Sequence, residues 1–127
     1  MRAFELPQQS NEIWYFLNNN TAYCLNQIGQ YQEGERYCRA AIEIEPDRHN
    51  AYKNLGIALQ YQARYAEAAR SYIYAAKLCP NDSRALAHLE DLVARRREIC
   101  EEIPDILAQL RECHEAVQAT KGKSALQ

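Results

Sequence analysis

Apolar and small side chains return every three or four residues along most of this chain, and short turns break the rhythm at regular intervals. The pattern is clearest between His49 and Pro80. Tyr52, Leu55, Gly56 and Leu59 share one helical face there, and Tyr65, Ala68, Tyr72 and Ala75 share the next. This i, i+3, i+4, i+7 spacing predicts two amphipathic helices joined by a short turn. Pro80 closes the second, because it has no N–H to donate and its ring clashes with the turn before it.

The same layout precedes this stretch. Ser10 or Asn11 is placed to cap a helix, since a short side-chain oxygen can accept an orphan backbone N–H. Trp14, Leu17, Thr21, Leu25 and Ile28 then hold one face. Gly29 suits the left-handed residue that ends many helices. A second helix is predicted from about Glu33 to Glu45, ahead of Pro46. A shift of 34 residues lays Tyr31 on Tyr65, Leu25 on Leu59, Ala41 on Ala75, Ile44 on Leu78 and Pro46 on Pro80. Thr21, Ala22, Gly34 and Cys38 stand where the later unit has Leu55, Gly56, Ala68 and Tyr72. All four are modest in volume, so helix packing is kept. Gly34 inside a helix costs about 1 kcal/mol against alanine, and a close approach of two helices is its expected reason.

A forward shift by the same period puts Leu86, Leu89 and Val93 on Tyr52, Leu55 and Leu59. The match then decays: Glu90 replaces the glycine, Glu102 and Gln109 replace alanines, and His114 replaces the proline. Helices are expected over about 83–101 and 103–118, with Pro104 tolerated only in a first turn or at a kink. Ile99, Ile103, Ile106, Leu107, Leu110, Cys113 and Val117 are spaced for one face, and the second helix is expected to cover the open end of a stack with it. The last residues, ATKGKSALQ, are small and polar and are expected to fray.

The residues Tyr52, Leu55-Gly56, Leu59, Ala68, Tyr72, Ala75 and Pro80 resemble a tetratricopeptide repeat (TPR), with two full repeats, a partial third and a C-terminal capping helix. The resemblance implies an all-α, right-handed α-solenoid of antiparallel TPR helix pairs, about six to seven helices in all. The expected organisation is a leader or linker over 1–9 and a TPR domain over 10–118. Its repeats fall at about 13–46, 47–80 and 81–97, with a cap at about 103–118 and a flexible tail over 119–127.

Composition narrows the function classes. The net charge of −2 gives no basic footprint for general nucleic-acid binding. No run of 18 apolar residues exists to predict a membrane span. The start, MRAFELPQQSNE, lacks the apolar core of a secretory signal. Cys24, Cys38, Cys79, Cys100 and Cys113 are odd in number and scattered. They are expected to be free thiols in a reducing cytoplasm. No catalytic order, phosphate loop or metal-ligand spacing stands out, so neither enzyme nor metal site nor cofactor is expected. Arg95, Arg96 and Arg97 form the one basic run, and Asp91–Arg95 and Arg97–Glu101 are spaced for local ion pairs.

In proteins resembling this one, the first helix of each repeat lines a concave groove that holds a partner peptide or helix. The side chains that reach it here would be Asn19, Asn20 and Tyr23 from the first unit, with Phe16 beside them. The second unit would give Lys53, Asn54, Ile57, Asn50 and Gln60, and the third Arg84, His88 and Asp91. Asn20, Asn54 and His88 recur every 34 residues and would form a polar ladder, and an amide can both donate to and accept from a peptide backbone. Lys53 and Arg84 add positive charge. The set partly resembles carboxylate-clamp TPR proteins, which grip acidic chaperone tails. Asn54 sits at the clamp's second-repeat asparagine, Arg84 at a clamp lysine and His88 at its arginine. Asn19 and Tyr23 stand where the first-repeat lysine and asparagine belong, so that half is absent. The expected function is a non-enzymatic protein–protein adaptor. The alternatives are a small cytoplasmic TPR chaperone for secreted bacterial proteins, or a homo-oligomeric scaffold that buries Trp14.

Overall fold

The structure is a computed structural model that describes residues 8–126, with side chains over 10–122. The expectation of a leader at the N-terminus therefore falls almost wholly outside the described residues. Seven helices follow in order: α1 (Gln8–Gln27), α2 (Tyr31–Ile44), α3 (His49–Gln60), α4 (Tyr65–Leu78), α5 (Arg84–Arg95), α6 (Ile99–Glu102) and α7 (Ile106–Leu126). There is no strand among the described residues. α1 packs on α2 and α3 on α4 as antiparallel pairs, and α2·α3 and α4·α5 contacts stack one pair on the next.

Local chemistry explains the turns. Gly29 ends α1 at φ 82°, and Gln30 N–H donates to the Leu25 carbonyl at 2.8 Å, which satisfies a carbonyl the helix end would leave bare. The equivalent residue 34 positions on is Ala63, at φ 61°, with Arg64 N–H on the Leu59 carbonyl at 3.0 Å. The geometry repeats, but alanine adopts it against the Cβ clash that glycine avoids. α1 itself starts at Gln8, so Ser10 and Asn11 lie inside the helix and not at its cap.

The pairing of α3 with α4 follows the predicted pattern. Leu59, Ala68, Tyr72 and Ala75 are buried as the pattern predicts. A Cβ on Gly56 would run into the Tyr72 ring, so the glycine is there to let the tyrosine lie against the helix. The Tyr72 hydroxyl escapes the apolar core by donating to Gln60 Oε1 at 2.8 Å. Gly34 has the expected reason too: a Cβ there would meet the Asn26 side chain of α1.

On α1 the outcome differs from the prediction. Ile13, Trp14, Leu17 and Ile28 are 59%, 48%, 51% and 72% exposed, and Thr21 is exposed with them. The face turned inward carries Tyr15, Asn19, Ala22 and Asn26. The two asparagines are tolerated inside because they are hydrogen-bonded, and Tyr15 accepts the Ala51 backbone N–H at 3.1 Å. The same positions 34 residues later explain the reversal. Ala51, Leu55 and Ala58 of α3 match Leu17, Thr21 and Cys24 of α1, and all three are buried where α2 stacks against α3. No described helix stacks on the corresponding face of α1.

The third unit also departs from the expected single helix over 83–101. α5 stops at Arg95, a turn intervenes, and α6 is one turn long. Asp91 and Arg95 form their ion pair at 3.0 Å, whereas Arg97 and Glu101, now on different elements, form none among the described pairs. α7 starts after Pro104 and lays Ile106, Cys113 and Val117 against α4 and α5, whereas Leu107, next in sequence to Ile106 and so about 100° round the helix, is 61% exposed and not on the expected face. It runs on through residues 119–126, where the composition predicts a fraying tail.

Candidate functional site

The first helix of each unit, α1, α3 and α5, contributes to one face. A cleft of about 410 Å³ opens on that face, lined by Tyr23, Asn26 and Gln27 of α1, Asn54, Ile57 and Gln60 of α3, and His88 and Asp91 of α5. Tyr31 and Tyr61 complete its wall. They stack with ring centroids 4.9 Å apart and planes 14° from parallel. A second cleft of about 360 Å³ shares Gln60, Tyr61 and Asp91 with the first and leads towards Arg95 and Arg96. The Arg96 guanidinium lies over the Tyr65 ring, 4.4 Å from its centroid.

Of the residues expected in the groove, Tyr23, Asn54, Ile57, Gln60, His88 and Asp91 line the cleft. Asn54 is only 3% exposed. Its side-chain amide nitrogen donates to Asn19 Oδ1 at 2.9 Å, and Asn26 Nδ2 donates to its backbone carbonyl at 3.0 Å. Asn19 is therefore the partner of Asn54, and Asn20, the residue in strict 34-residue register, points to solvent. The expected ladder is thus shifted by one residue on α1. The Asn54 and Asn26 Oδ1 atoms are buried without a hydrogen-bond partner among the described atoms, an uncommon condition that costs free energy.

The two expected cations are quieter than the sequence implies. Lys53 is 8% exposed. Burial pushes its pKa down, the positive charge of Arg84 adds to that, and Asp82 opposes it. Arg84 is engaged: its Nη2 donates to Asp82 Oδ2 at 2.6 Å and to Asn50 Oδ1 at 3.2 Å. Asp82 also meets His49 Nε2 at 2.9 Å and accepts the Arg84 backbone N–H at 3.1 Å. These bonds hold the Asp82 carboxyl well below its usual range, the Arg84 side chain contributing most. The cluster ties the starts of α3 and α5 together. His88 lies flat on Tyr72, centroids 5.4 Å apart. Loss of water lowers its pKa, with the Lys53 charge adding to the effect.

Asn26, Gln27, Tyr31 and Tyr61 were not expected in the groove. Shifting Gln60 back by one period would have found Asn26, and shifting Tyr61 would have found Gln27. Tyr31 reads as a core residue by its repeat position. Its place at the rim follows from the Tyr61 stack, which no period encodes. Among the described residues no group of three His, Cys, Asp or Glu side chains could hold a metal ion. None of the helices among the described residues is long and apolar enough to cross a membrane.

No protein-family model matches the chain. Two curated proteins of Drosophila melanogaster are similar to it. Protein O-mannosyl-transferase Tmtc3 is 27% identical over 107 residues, which cover 73% of this chain and 12% of that protein. Protein O-mannosyl-transferase Tmtc2 is 29% identical over 90 residues, covering 70% of this chain and 9% of that protein. The chain thus spans about a tenth of the length of these relatives. The period, the paired helices and the Gly56–Tyr72 contact decide the architecture. The fold is a TPR-type solenoid.

Proposed function

We propose that the chain is a non-enzymatic adaptor that holds a partner peptide or helix in the cleft formed by α1, α3 and α5. The observation that carries this is the cleft itself: aromatic walls from Tyr23, Tyr31 and Tyr61 around amide groups from Gln27 and Gln60. Tyrosine is a favoured anchor at interfaces because it offers large area with few rotors, and amides can pair with either group of a peptide bond. Openings of this size and makeup suit an extended segment or one helix face. The sugar transfer named for the two relatives belongs to proteins of which this chain matches only about a tenth, and an adaptor role needs none of it. Residence in the cytoplasm is part of the same reading, supported by five free thiols. Size and repeat pattern alone speak for a chaperone of secreted bacterial proteins, and neither relative adds to that.

The test is affinity capture with the native chain beside a Tyr23→Ala, Tyr61→Ala, Asp91→Ala triple variant. These three side chains are exposed, so the fold tolerates their loss. A Tyr74→Ala variant, altering the exposed tyrosine that packs with Tyr52 outside this cleft, serves as control. Partners lost with the triple variant and kept with the control support the cleft. Partners kept by both would move the site elsewhere. Lys53 and Asn54 are poor probes, since substituting either disturbs buried structure.

A further inference from the structure

α1 differs from every other long helix in what it shows to solvent. Ile13, Leu17, Thr21, Cys24 and Ile28 form an exposed stripe four turns long, with Trp14 beside it. Glu12 is the one Asp, Glu, Lys or Arg in the helix, and it is paired with Arg48 at 3.0 Å. The outward faces of α2, α4, α5 and α7 carry charges throughout, such as Arg36, Glu67, Glu90 and Glu112. A surface that covers the α1 stripe has to be uncharged and apolar, since a charge placed on it would be buried without a partner.

We propose that this stripe pairs with the same stripe of a second copy of the chain, the two α1 helices lying antiparallel about a twofold axis. Three observations favour a second copy. The stripe is the described helix face in this molecule that meets the uncharged, apolar requirement. Its spacing is also symmetric: Ile13 to Leu17 is four residues, Leu17 to Cys24 seven, and Cys24 to Ile28 four. A twofold axis between Asn20 and Thr21 then sets Ile13 against Ile28 of the other copy and Leu17 against Cys24. A self-complementary patch of this kind is what an isologous contact requires. Finally, head-to-tail stacking is blocked, because α7 covers the far end and turns Arg111, Glu112, His114 and Glu115 outward. Ile13, Trp14, Leu17 and Ile28 are 59%, 48%, 51% and 72% exposed and leave on the order of 400 Å² open per copy, the size of the largest apolar patch on a typical monomer, which is often functional. Two such patches fall short of a standard interface of about 1,600 Å², so the dimer is weak and reversible.

Sedimentation equilibrium of the full chain between about 1 µM and 500 µM spans the dissociation constants such an interface gives. The expected result is a mass that rises from one chain towards two. Leu17→Lys buries an unpaired charge and should hold the mass at one chain, with an unchanged circular dichroism spectrum. Cys24→Asp should do the same. An equimolar mixture of the two should recover dimer, because the ammonium introduced in one variant then faces the carboxylate introduced in the other across the axis. A Tyr61→Ala control, altered in the cleft, should dimerise like the native chain. A native mass of one chain throughout would overturn the proposal. So would a Leu17→Lys variant that dimerises normally, or a mixture that does not recover.

Discussion

The α1–α2 and α3–α4 pairs are two copies of one 34-residue plan, and they treat their apolar residues in opposite ways. In the second pair the predicted stripe is the core, with Leu55, Leu59 and Tyr72 at most 5% exposed. In the first the predicted stripe faces out and two asparagines face in. The difference comes from neighbours. α3 is covered on both sides, by α2 and α4, whereas α1 has α2 and α3 on its inner side alone among the described helices. A helix with one partner face buries whatever that partner can satisfy. Here the partner is Asn54, which takes Asn19 by an amide–amide hydrogen bond.

The largest expected effect separates the two pairs at one repeat position. Tyr72→Ala should destabilise by about 4 kcal/mol, because it empties a fully buried aromatic site. Cys38→Ala, at the equivalent position, removes one sulfur and should cost roughly 1 kcal/mol. Urea titration of both variants reads the difference, and equal losses would break the comparison. Next comes the helix approach. Gly56→Ala should cost about 2 kcal/mol, since the Tyr72 ring is pinned in the core and must shift. Gly34→Ala meets a smaller side chain, Asn26, and should cost less, the gain of about 1 kcal/mol in helix propensity being common to both variants.

Asn54→Ala should lose roughly 1–2 kcal/mol, the cost of leaving Asn19 unpaired inside. Asn20→Ala, one residue out of that pairing, should stay within about 0.5 kcal/mol. If the two were equal, the in-register ladder would be the better description. The Asp82 cluster adds a pH test on the second pair. Its carboxyl pKa is lowered by folding, so its stabilisation is present above the unfolded value of about 4 and is lost as pH falls towards the folded value. Native stability should therefore drop faster between about pH 4 and pH 2 than that of Asp82→Asn. Thermal melts across that range check it. The smallest effect lies at the turns. Ala63→Gly should stabilise by about 1 kcal/mol and Gly29→Ala should destabilise by a similar amount, because both positions are left-handed.

Much of this was legible from the residues. The helix-pair plan, Gly29 at a left-handed turn and Gly34 at a close approach follow from spacing, whereas the first helices as the lining of a groove follow from the resemblance to the repeat family. That resemblance points to Tyr23, Asn54, Ile57, Gln60, His88 and Asp91, which line the cleft. Arg84 was misjudged in strength, since its charge is already met by Asp82, a residue of the loop that the helical period does not describe. The break between α5 and α6 was missed because residues 96–98 carry neither glycine nor proline.

The sequence alone determined the paired helices of the first two units, their period and that a close approach explains Gly34. These are local properties, set by backbone chemistry and by side chains three or four residues apart. Only the tertiary structure decided which face of α1 is buried, that Asn19 and not Asn20 meets Asn54, and that Tyr31 stands at a rim. Those outcomes depend on which helix lies opposite, and a period within one helix holds no information about its neighbour's register.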